Sequence, residues 1–323
     1  MKEKFRDKFT DPDIIKKIQE LENSPQNMEK LKVIKAKMKD RATKPLFLGC
    51  LGLIIAGNAA IYFKAYGAIV IFIMIIIASN YLEKNRHNMT DDYVNNFLLP
   101  VLKEILPDTR INYLEGIDLE ILGNLIYNSK KYYSNCHIIF GDDYKTEFCN
   151  LRAYHYIKDK DKTEEEVVDF EGQVLAAKMD TKIKGHIRIV PVVKENFLGD
   201  KIYRAYGSKR KDEKEVRVES IKFNDSYSIF STDDFYTRLI LDPKIIEVLN
   251  DWSDKMRVCL YMDEKYIAIS FESHKFLFPV PGGGKSVENL SLSGEYEKIR
   301  GKLSYFYELC EYSSTKLCNS HFL

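Results

Sequence analysis

The sequence predicts an α+β fold: a two-helix transmembrane hairpin plus a soluble domain with a mostly antiparallel sheet flanked by helices. Three observations predict it. Two uncharged apolar runs stand in tandem at 46–63 and 65–82. Downstream, short segments alternate apolar and polar residues between turn signals, and such hairpins outnumber any β-helix-β alternation. Stripes of helical period lie on either side of them.

Residues 1–45 read as a charged, amphipathic, cytoplasmic helical segment. Ile14, Ile15, Ile18 and Leu21 share one helical face, Met28, Leu31 and Ile34 another, and Pro25 separates the two short helices. The second helix is basic and could lie on anionic headgroups or pack on the cytoplasmic domain. Each apolar run spans roughly 27 Å as a helix, close to the hydrocarbon thickness. No cleaved leader is expected, since the first run starts far from Met1 and a second follows at once. Lys30, Lys32, Lys35, Lys37, Lys39, Arg41 and Lys44 precede the spans, Lys84 and Arg86 follow, and only Lys64 lies between. The expectation is therefore a multi-pass cell-membrane protein with both termini cytoplasmic. Gly52, Ala56 and Ala60 form a small-residue face suited to close helix packing, within the hairpin or between copies. Asn58 fits an interhelical hydrogen bond.

Residues 90–323 should form the soluble cytoplasmic domain. Val94, Phe97, Leu98, Val101, Leu102 and Ile105 form a helical stripe that Thr90 or Asp91 could cap and Pro100 should kink or break. A second helix is expected over 117–128. Strands are expected at 135–140, 144–157 and 167–178, with a charged loop at 158–166. Ile183, Ile187 and Ile189 alternate with Lys184, His186 and Arg188, the pattern of a strand wet on one face. Further strands are expected at 216–223 and 227–230. Asp242-Pro243 opens a helix with Ile245, Ile246, Leu249 and Trp252 inward. A hairpin follows across Asp263-Glu264, and then a terminal helix carrying Ile299, Leu303, Phe306 and Cys310.

The formal net charge of +1 argues against a general nucleic-acid binder, and 45% hydrophobic residues argue against wholesale disorder. The mean hydropathy of −0.31 averages over a strong concentration of apolar residues between Leu46 and Leu82. Cys50, Cys136, Cys149, Cys259, Cys310 and Cys318 form no C-x-x-C pair and read as free thiols of a reducing compartment.

The block from Phe223 to Asp234, FNDSYSIFSTDD, with Thr237-Arg238 and Leu241-Asp242-Pro243, carries a family resemblance. Gly141-Asp142-Asp143, Phe170-Glu171-Gly172 and Tyr266-Ile267-Ala268-Ile269 support it. From about Tyr93 to Phe278 the chain resembles a bacterial family of membrane proteins with no assigned function, the domain of unknown function 3137. The resemblance implies paired membrane spans and no particular activity. It also implies a partner that is another small membrane protein. The lipid bilayer is the other expected partner, the small-residue face leaves a homo-oligomer open, and nucleic acid is not expected.

No catalytic, cofactor-binding or metal-binding residue is assigned. Pro281-Gly282-Gly283-Gly284-Lys285-Ser286 looks like a phosphate loop, but Pro279 stands where its first Gly is required. His87, His137, His155, His186, His274 and His321 fit no zinc spacing. Asp142-Asp143 and Asp233-Asp234 sit where turns and caps already call for Asp. Ser231 and Ser286 lack a nucleophile context. Two readings follow. One is a membrane-anchored binding or scaffold module at the cytoplasmic face. The alternative is a membrane-anchored enzyme of unrecognised type, with Asp142, Asp143, Asn224 and Asp225 as first candidates, which requires that they share a cleft.

Overall fold

The computed structural model describes residues 8–9, 11–158, 164–181, 183–195, 200–241, 243–301, 303 and 306–307, with side chains at all of these except 45–51, 53–71 and 74. The chain divides into two units. One comprises Leu106–Leu277 with Met1–Thr10 and Arg300–Leu323, and the other Asp11–Ile105 with Phe278–Ile299.

The second unit is helical. Asp11 caps α1 (Pro12–Asn23) through its carboxylate, and Ile14 and Ile18 are its buried stripe. Ser24 ends α1 and caps α2 (Pro25–Tyr93), with Pro25 in its first turn as expected for a residue whose missing N–H needs no partner there. The second short helix of the sequence reading is instead the start of this 69-residue element. Its ends nevertheless touch. Asn85 Nδ2 donates to Arg41 O at 2.7 Å, Arg41 Nη1 donates to Asn88 O at 3.2 Å, and Arg41 also pairs with Asp92. A straight α-helix would hold residues 41 and 88 roughly 70 Å apart, so α2 doubles back, and the point halfway between them is at 64–65. No cap occurs at Thr90, whose hydroxyl donates to Arg86 O. Pro100 does not break the helix either. A π-helical turn (Val94–Leu98) precedes it, with Leu99 N–H donating to Val94 O, and α3 (Leu99–Ile105) continues beyond. The widened turn accommodates the proline ring that an α-turn would crowd.

The expectation of a multi-pass cell-membrane protein is corrected here: among the described residues, no helix is long and apolar enough to cross a membrane. Most side chains of the first expected span, Asn58, Ala56, Ala60 and Cys50 included, lie outside the described residues, as do those of 65–71 in the second.

The first unit is built on a nine-stranded antiparallel sheet. Its strands are β1 (Arg110–Asn112), β2 (Lys131–Ile139), β3 (Glu147–Lys158), β4 (Glu164–Lys178), β5 (His186–Pro191), β8 (Lys214–Val216), β9 (Tyr227–Ser231), β10 (Arg257–Asp263) and β11 (Tyr266–Glu272). They run in the order β1-β2-β3-β4-β11-β10-β5-β9-β8, and β6 (Lys194–Glu195) pairs with β7 (Lys201–Ile202) separately. The expected last hairpin is present: Asp263 Oδ1 accepts from Lys265 and Tyr266 N–H, and Met262 faces Ile267.

Both faces of the sheet are covered. α4 (Leu119–Leu125), capped by Asp118, sets Leu122 and Leu125 against Cys149, Leu151, Val174 and Cys259. On the other face lies α7 (Pro243–Ser253), whose Ile245, Leu249 and Trp252 are buried, Trp252 against Phe271 at 5.5 Å. This double covering corrects the wet-face reading of β5, where Ile187, Arg188 and Ile189 are all fully buried. The expected strand over 216–223 is corrected too. It stops at Val216, because Ser220 caps α5 (Ile221–Ser226) by accepting from Phe223 N–H. A helix α6 (Asp234–Ile240), capped by Asp233, was not foreseen.

Candidate functional site

The polar residues singled out from sequence do structural work. Asp142 is buried in the β2–β3 turn, accepting from Thr146 N–H at 2.8 Å and from the Tyr307 hydroxyl, while Asp143 is exposed. Asn224 closes a loop on α5: its Nδ2 donates to Val218 O at 2.7 Å and its Oδ1 accepts from Val218 N–H. Asp225 is exposed. β3 and β9 stand five strands apart, about 24 Å, so the four candidate acids and amides share no cleft. Asp233 accepts from Tyr236 and Lys184 N–H, and Asp234 pairs with Arg238. Ser231 donates to His186 O and accepts from Thr237, and among the described residues no side-chain base bonds to it.

The glycine run belongs to the helical unit. Gly283 precedes the five-residue α8 (Gly284–Glu288), Ser286 bonds back to Gly283, and Gly284 lies against Lys39 of α2. Asp242, Cys310, Cys318 and His321 lie outside the described residues.

All five described histidines face a carboxylate, a pattern invisible in the sequence. His155 meets Asp169 at 2.9 Å, His137 meets Glu147 at 2.9 Å and His186 meets Glu213 at 2.8 Å; His87 and His274 are more loosely paired. Ser129 donates to the same Asp169. The acid stands between the serine and the histidine, the wrong order for activating a nucleophile. Cys136, Cys149 and Cys259 are free and buried, and burial pushes the Cys149 and Cys259 thiols up to about 12. A thiol so disfavoured as thiolate is inert. Among the described residues no group of His, Cys, Asp and Glu is arranged to hold a metal.

The strongest polar knot is also structural. Arg188 donates to Glu213 at 2.6 and 3.0 Å and to Tyr206 and Ser208 carbonyls, and is fully buried. Burial would raise the Glu213 carboxyl. Hydrogen bonds from His186, Arg188 and Arg210 N–H outweigh it and hold the group down at about 2.

Among the described residues there is an open groove of about 780 Å³. One wall is the backbone running from Val216 through Ser220, as the chain leaves the end strand β8. The other is α7. Pro243, Ile246, Glu247, Asn250 and Asp251 recur at one helical stripe and line the groove, while the buried stripe of the same helix grips the sheet. Leu241 is buried at its base. Asn250 Oδ1, which solvent does not reach, has no hydrogen-bond partner among the described residues. Lys222 and Arg238 also line the groove but are committed, to Asp254 at 2.9 Å and Asp234 at 3.2 Å.

The comparisons bear on this region. Residues 168–312, just under half of the chain, match the model of a family described as a protein of unknown function (DUF3137), and the groove lies wholly within the match. No curated protein matches. Among solved structures, the crystal structure of the mycobacterial trehalose monomycolate transport factor A, TtfA, is similar to 62% of this chain over 88% of its own. The identity is 8% and the TM-score 0.34, too low to bear on fold or function.

Proposed function

We propose that this chain is a non-catalytic binding module whose ligand lies in the groove between 216–220 and α7. The observation that carries the reading is the groove itself, an open concavity between 216–220 and α7 whose walls keep the half-buried Val218 and Ile246 available to a ligand. A concavity lined by apolar surface and a few polar groups is where a ligand is expected to bind. The scattering of the candidate catalytic residues weighs on the same side. The test is a photo-reactive residue placed at Glu247 in the full chain in cells, with a control at exposed Lys130. A discrete adduct from position 247 that Ile246→Trp abolishes is the expected result. Adducts of equal yield from both positions, or none from 247, would refute the reading.

A further inference from the structure

We infer that the groove takes an extended peptide carrying basic side chains. This rests on the groove being the ligand site, and it names the ligand's chemistry.

The shape of the groove comes first. β8 is the end strand of the sheet, and its one strand partner among the described residues is β9. No backbone hydrogen bond to its outer edge is described. Val216, the last residue of that edge, lines the groove beside α7, while Val218 beyond it is already bonded to Asn224. An extended segment can add as a further strand at the free edge of β8 and run on into the groove, with the helix face for selectivity. The walls suit that use. Val218 and Ile246 are half-buried, so each keeps apolar surface for a partner. Ile221, on α5 just past the strand wall, is 77% exposed.

The charge of the groove comes second. Six charged side chains line it: Arg217, Glu219, Lys222, Arg238, Glu247 and Asp251. Lys222 and Arg238 are neutralised by Asp254 and Asp234. None of the other four makes an ion pair among the described residues, so Arg217 stands against three acids. The uncommitted balance is negative. A lysine or arginine side chain supplies the positive charge, and its apolar stem can lie along Ile246 and Val218. An acidic peptide would meet Glu247 and Asp251 with like charge.

The experiment measures fluorescence anisotropy of dye-labelled heptapeptides on the purified full chain. One peptide alternates lysine with alanine, the other glutamate with alanine, and unlabelled spermine is the competitor. The lysine peptide should bind, the glutamate peptide should not, and the double variant Glu247→Lys with Asp251→Lys should weaken binding by about tenfold or more. Circular dichroism melting confirms that each variant is folded. If the glutamate peptide binds and Ile246→Trp abolishes that binding, the groove stands and the basic ligand is refuted. If the charge-reversed variant binds the lysine peptide unchanged, the inference is likewise refuted. Full displacement by spermine at equal concentration would assign the site to a polyamine instead of a peptide. Failure of Ile246→Trp to alter binding of either peptide would refute the groove itself.

Discussion

Arg188 and Glu213 show how a single residue can mislead. In the sequence Arg188 is one of the polar members of an alternating run, and such members ordinarily face water. In the fold it is enclosed, with Tyr127 and Phe230 rings near its guanidinium and Glu213 across from it. Nothing local announces this, because its partner lies 25 residues away within the charged run Lys209–Lys214. Removing one member of a buried pair leaves the other charge stranded, so Glu213→Gln should cost about 3–5 kcal/mol in urea unfolding at neutral pH. The acid limb follows from linkage. The Glu213 carboxyl is depressed from 4.5 to about 2, so its contribution is present above pH 4.5 and is lost as pH falls towards 2. That contribution is on the order of 3 kcal/mol. The gap between wild type and Glu213→Gln should therefore close across that window, and a constant gap would contradict the assignment. The buried thiols give a second check. Cys149 and Cys259 should resist a thiol reagent in the native chain and react once it is unfolded in urea.

At the scale of elements, the legible parts were those with a local chemical cause. The β10–β11 hairpin follows from alternation on both arms and an aspartate that holds its own turn. α7 follows from its buried stripe of Ile245, Leu249 and Trp252 and its proline start. Pro25 separates α1 from α2 through the Ser24 cap. The misread elements are those where two signals compete. Residues 216–223 are rich in strand formers, yet Ser220 caps a helix inside them, and Ile221 is left exposed by that choice. Pro100 signals a break, and the π-turn before it absorbs the conflict without one. Gly172 shows an element-level constraint that sequence patterning does not reveal. A Cβ there would sit 1.9 Å from Phe271 O, where β4 pairs with β11. Gly172→Ala should force the central strands apart and lower the urea midpoint by more than a surface substitution would, by roughly 3 kcal/mol or more. In the helical unit, Glu22 accepts from Leu292 and Ser293 N–H at the start of the helix over 292–301. Glu22→Ala should cost about 1–2 kcal/mol by leaving those donors bare, measurable as a shift in thermal midpoint.

For the whole molecule, the α+β class and the antiparallel sheet were legible because alternation and turn chemistry are short-range. The membrane assignment rested on the length and apolarity of two runs, and among the described residues no helix meets that standard. The second run does leave Phe72, Ile73, Ile75, Ile76 and Ile77 exposed in the isolated chain. The groove was not legible at all. Its two walls are some thirty residues apart, its acids look like ordinary surface charge, and the walls face one another only once α7 is seated. The residues that did stand out, Asp142, Asp233 and Asn224, stood out because turns and caps use the same chemistry as sites. Amide hydrogen exchange of the full chain, free and saturated with the alternating lysine peptide, tests the groove most directly. The account predicts slowed exchange at 214–219 and along α7, with the rest of the sheet unchanged. Protection confined to the opposite edge at β1, or to the β3–β4 ribbon, with 214–219 unaltered, would contradict it.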